Sequence, residues 1–126
     1  MLFRSNLFNI TVGVPVKLAF TTQPGNGTGG SPLFIQPIVT IQDAGGNTVT
    51  TANNAISLAV GTNPCGGILS VATNPLNAVN GIATFSGVWM NKNCEGYTLV
   101  ATALLPSFAT ATSNSFDVAI GPPAKL

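Results

Sequence analysis

Asn80-Gly81-Ile82-Ala83-Thr84-Phe85-Ser86-Gly87-Val88 is the stretch that decides the fold. Asn and Gly tolerate positive φ better than other residues, so Asn80-Gly81 is a favoured two-residue hairpin loop. The run behind it is rich in β-branched and aromatic residues and reads as a strand. Working outward, the same grammar recurs. Tyr97-Thr98-Leu99-Val100-Ala101-Thr102-Ala103 and Ser115-Phe116-Asp117-Val118-Ala119-Ile120 follow it. Ile68 to Val71, Ile56 to Val60, Thr48 to Thr50, Ile38 to Gln42, Val16 to Thr21 and Phe8 to Val12 precede it. Clusters of Gly, Pro and Asn punctuate these runs, and helical period is nowhere sustained. The Gln23 to Gly30 stretch is glycine-rich enough to predict a mobile or tightly turned loop. Seven or more short strands in roughly 110 residues predict an all-β, immunoglobulin-like, two-sheet antiparallel sandwich.

Composition narrows the chemistry. The chain has 126 residues, which is one domain. Charged residues make up 6% of it, against about a quarter in an average soluble protein, so Thr, Asn, Ser and Gly must supply the surface. Four basic residues against three acidic ones leave no electrostatic footprint for nucleic acid. Histidine is absent, which removes the commonest general base and metal ligand. Asp43, Glu95 and Asp117 are the only carboxylates, and no two are close in sequence, so neither paired-acid catalysis nor a converging calcium shell is legible. We therefore expect no enzyme activity, no cofactor and no metal site. Every apolar run is interrupted before it reaches the length of a membrane span.

The two ends of the chain read alike. Ser5-Asn6-Leu7-Phe8-Asn9-Ile10-Thr11-Val12-Gly13-Val14-Pro15-Val16-Lys17-Leu18 aligns without gaps on Ser113-Asn114-Ser115-Phe116-Asp117-Val118-Ala119-Ile120-Gly121-Pro122-Pro123-Ala124-Lys125-Leu126, with seven of fourteen positions identical. The offset from Ser5 to Ser113 is 108 residues, about one sandwich domain. The chain thus divides into residues 1-13, a strand equivalent to the last of a preceding repeat; 14-121, one whole repeat; and 122-126, the start of a following one.

Lys17 to Pro24, Val39 to Val49, Asn80 to Gly87 and Gly96 to Thr102 together resemble the bacterial immunoglobulin-like repeat modules of large secreted and surface-anchored proteins, including adhesins similar to invasin and intimin. The resemblance covers nearly the whole repeat. It implies an extracellular, non-enzymatic sandwich that extends or displays other parts of a long chain. Many such modules lack a cysteine pair, and no acidic cluster marks the junction here.

Several residues carry specific expectations. Cys65 and Cys94 lie in loop-like sequence; if strands alternate in direction from Val16 both loops emerge at one end, so a disulfide is expected, with two unrelated thiols as the alternative. Tyr97 follows a tight turn at Gly96, where sandwich folds place a tyrosine whose hydroxyl bonds back to the corner. Trp89 is either a buried plug or an exposed platform for sugar stacking, the latter making the domain a carbohydrate-binding module. Asp43, before Gly45-Gly46, reads as a turn former. Lys17 and Asn114 are candidates for a cross-strand Lys–Asn bond, although Lys125 holds the equivalent place in the next repeat. Phe8, Ile10 and Val12 duplicate Phe116, Val118 and Ile120, so the surplus strand also predicts strand exchange between identical subunits of an extracellular fibre. The expected partners are therefore neighbouring repeats or identical subunits, with any surface glycan or host protein unspecified.

Overall fold

The computed structural model describes residues 10–103 and 108–121. No helix occurs among them, and twelve strands do. They are β1 (Lys17–Thr22), β2 (Gly27–Thr28), β3 (Ile38–Gln42), β4 (Ala55–Val60), β5 (Leu69–Ser70), β6 (Leu76–Asn77), β7 (Ile82–Thr84), β8 (Trp89–Met90), β9 (Cys94–Tyr97), β10 (Leu99–Ala103), β11 (Ala111–Thr112) and β12 (Phe116–Ala119). One antiparallel sheet is β1-β3-β7. Two further ladders are β11-β10-β4-β6 and β2-β12-β9. Only Thr98 separates β9 from β10, so these ladders are successive stretches of the same two chain segments. A short hairpin, β5 with β8, completes the set.

The inward residues follow the period of two that a half-buried strand requires. Ile56 and Leu58 of β4, Leu99, Ala101 and Ala103 of β10, and Phe116 and Val118 of β12 are buried, while their neighbours face outward or are half-covered. With Leu18 of β1, Val39 and Ile41 of β3 and Ala83 of β7 they form one core, to which Tyr97, Phe85, Val88 and Met90 add the bulk. The fold is therefore an all-β, sandwich-like one. β3 departs from strict alternation because Thr40 is buried too; its hydroxyl is 2.8 Å from that of Thr21.

Strand directions decide how the chain enters and leaves. Lys17 bridges Ala109 in parallel, with Leu18 N–H donating to the Ala109 carbonyl at 3.1 Å and Ala109 N–H to the Val16 carbonyl at 2.9 Å. Further along, Val118 pairs with Gly27 and Ala119 with Thr28, again in parallel. The first and last segments thus run side by side in one direction, and the chain enters at one end of the sandwich and leaves at the other. This parallel pairing stands beside the antiparallel ladders that make up the rest of the sandwich-like fold.

Other expected runs are shorter than predicted. The strand after Asn80-Gly81 stops at Thr84, because Gly87 has φ +63° and a Cβ there would lie 2.9 Å from that of Ala72. Thr48 to Thr50 contributes only a bridge from Thr48 to Gln42. The glycine-rich loop is not merely a turn, since Gly27 and Thr28 join β12. Of the run from Phe8 to Val12, residues 10 to 12 are not in a strand, because β12 of the same chain already occupies the place between β2 and β9; Phe8 lies outside the described residues.

Candidate functional site: the two ends of the module

The trailing end is organised around Cys65 and Cys94. They form a disulfide with Cα atoms 6.0 Å apart. Cys94 lies in β9 opposite Val118, which brings the Asn63 to Gly67 loop over the end of the last strand. Asn63 closes that loop through its side chain, accepting from Gly67 N–H at 2.9 Å and donating to the Gly67 carbonyl at 3.0 Å. Tyr97 is fully buried beneath it, its hydroxyl donating to the Lys92 carbonyl at 2.9 Å and its ring 5.9 Å from that of Phe116. A Cβ on Gly67 would overlap the Tyr97 hydroxyl, so only glycine lets the loop lie so low. Burial raises the Tyr97 pKa above its usual value.

The leading end is organised around Asp43, which is 5% exposed. Its Oδ1 accepts from the backbone N–H groups of Gly45 and Asn47, both at 2.9 Å, the Asx geometry expected of a turn former. Its Oδ2 accepts from Gly13 N–H at 2.8 Å, and the Asn47 amide donates to both oxygens. These donors favour the ionised form, with Gly13 contributing most, and hold the pKa at about 2. The turn was legible in Asp43-Ala44-Gly45-Gly46-Asn47; the link to Gly13, thirty residues upstream, was not.

The duplicated segments have opposite environments. Phe116 and Val118 are in the core, whereas Ile10, the counterpart of Val118, is 83% exposed against 3%. Val12 and Ile120 are both exposed. Among the described residues no strand pairing joins the two copies, and Phe8 again lies outside the described residues.

A cleft of ≈ 330 Å³ runs beside β2, β9 and β12. Glu95 and Asp117, distant in sequence, both line it, and Asp117 Oδ1 accepts from Gly96 N–H at 3.1 Å. The aromatic ring on this cleft is Phe34, which is 73% exposed; Trp89 is half-buried in β8 opposite Ser70. Trp89 is thus neither the buried plug nor the open platform expected of it. No group of three or more metal-ligating side chains exists among the described residues. No helix there is long and apolar enough to cross a membrane.

Lys17 and Asn114 are placed apart. Lys17 pairs with Gln42 at the start of β1, while Asn114 N–H donates to the Gln23 side chain just beyond its end. Six residues of strand put them roughly 15–20 Å apart, too far for a covalent bond. Comparison with known proteins finds no matching family model, curated protein or solved structure.

Proposed function

We propose that this chain is a non-enzymatic structural module of a secreted or cell-surface repetitive protein, one link of an adhesin-like stalk built from bacterial immunoglobulin-like repeats. The observation that carries this reading is the parallel run of the first and last segments, which separates entrance and exit by the length of the sandwich. From Ala109 to Ala119 that length is about 30 Å. A module wired this way adds reach with each copy, and the 108-residue duplication supplies the register for such copies. The disulfide is compatible with an oxidising, extracellular setting. The coding sequence on either side tests the proposal: further copies at the 108-residue spacing are expected, and unrelated sequence on both sides overturns it.

A second reading, fibre assembly by strand exchange, draws support from the exposure of Ile10 and Val12. It requires a second chain to vacate or extend the place β12 now fills. Light scattering on the intact chain and on a form lacking residues 1–13 separates the readings: equal monomeric size for both eliminates exchange.

A further inference from the structure

The duplication makes Gly121 of one repeat the same residue as Gly13 of the next. Each occurrence is packed against its own module. At the trailing end, Gly29 N–H donates to the Ala119 carbonyl at 2.9 Å, and a Cβ on Gly121 would sit 3.0 Å from the Gly29 carbonyl oxygen. At the leading end, Gly13 N–H donates to Asp43 Oδ2 at 2.8 Å, and a Cβ on Gly13 would meet the Asp43 Cβ at 3.4 Å. Three residues later Val16 N–H donates to the Gln42 carbonyl at 2.9 Å, so the chain is already fixed to the sandwich there.

We infer that the glycine at each junction is held from both sides, by Gly29 of the module it leaves and by the Asp43 carboxylate of the module it enters, so that consecutive modules meet at a fixed angle with no free linker. The surface around the Asp43 turn is then a docking site whose partner is the trailing end of a second copy of this module. This rests on the tandem-array reading and goes beyond it, since an array with slack junctions would serve equally well as a string. Glycine suits the junction because a Cβ there would crowd the Gly29 carbonyl oxygen of the module it leaves, while toward Asp43 it would make only ordinary van der Waals contact. Asp43 is suited to the task because Oδ1 takes the backbone amides of its own turn while Oδ2, shared with the Asn47 side chain, also takes the incoming amide.

The test uses the full chain extended at Leu126 by a second copy of residues 19–126, which continues the register because Leu126 corresponds to Leu18. Residual dipolar couplings on each copy, labelled separately, report whether the two share one alignment tensor. Coincident tensors in the parent, diverging in Asp43→Asn of the second copy, support the grip. Asn retains an acceptor oxygen for the Gly45 and Asn47 amides, so the turn survives. Gly121→Ala, outside that turn, is a second variant expected to cause the same divergence. Divergent tensors in a parent whose two copies are both folded overturn the grip and leave the array reading standing. Tensors that coincide in the parent and in both variants also overturn it. A second copy that fails to fold in this register sinks the array reading, and the grip with it.

Discussion

Lys17, at the start of the first strand, lies beside Ala109 in a parallel bridge, and the segments that follow them stay side by side as far as Thr28 and Ala119. Tension applied to the two ends of the sandwich therefore runs along the strands and loads the β1–β3 ladder in shear, all its bonds together. An alternation-based reading would instead lay neighbouring strands antiparallel.

The disulfide sets how far the module extends once that ladder fails. It closes a loop of 29 residues, worth roughly 3–4 kcal/mol in the chain-entropy model. Reduction is expected to lower unfolding free energy by about that amount in denaturant titrations. In force extension, reduction adds about 100 Å to the unfolded contour length, the reach of the residues it hides. Equal contour lengths with and without reductant would contradict the assignment.

Tyr97 supports the same end from beneath. Tyr97→Phe removes the bond to the Lys92 carbonyl and is expected to cost about 1 kcal/mol, read from a shift in denaturation midpoint. Gly67→Ala is expected to cost more, because the added methyl displaces the buried hydroxyl. A neutral Gly67→Ala would show that the loop lies higher than described.

Acid acts at the opposite end. The Asp43 carboxylate titrates at about 2 in the folded chain, against 3.8 for a free one. A lowered folded-state value means that its stabilising contribution is complete above the unfolded value and is lost as the pH falls through about 2. Asp43→Asn is expected to show a shallower loss of stability between pH 4 and pH 2 than the parent. The Gly13 amide proton should shift in NMR spectra with the same midpoint and lose protection in the variant. A Gly13 resonance insensitive to acid would remove the contact.

Ile10→Ser and Val12→Ser together are expected to leave the unfolding free energy within about 0.5 kcal/mol of the parent's, because both side chains are exposed and lie outside the strands. A large loss would show that the leading segment belongs to the core.

The parts legible in the sequence were those fixed by local chemistry. Asn80 and Gly81 adopt φ of 53° and 78°, as the turn demands, and the long alternating runs became β1, β3, β4, β10 and β12. The two-residue strands β2, β6, β8 and β11 were not legible, and β5 is a shortened piece of the run expected over Ile68 to Val71, because distant side chains fix the chain around them. Asn74 bonds both the N–H and the carbonyl of Leu58 beside the β4–β6 ladder. Gln36 does the same for Val88 just before β8, and Asn91 accepts from Ile68 N–H just before β5. In a chain with so few charges, neutral amides replace strand partners, and their reach does not follow any period. The Asp43 to Gly13 bond escaped for a related reason: the turn residue Asn47 already reaches both carboxylate oxygens, and nothing local indicates that one of them will also meet a distant amide.

Small-angle X-ray scattering on the two-copy chain reads whether the modules lie end to end. End-to-end modules add about 30 Å or more to the maximum dimension of the single chain. A second folded copy that adds little, lying alongside the first, would contradict the account.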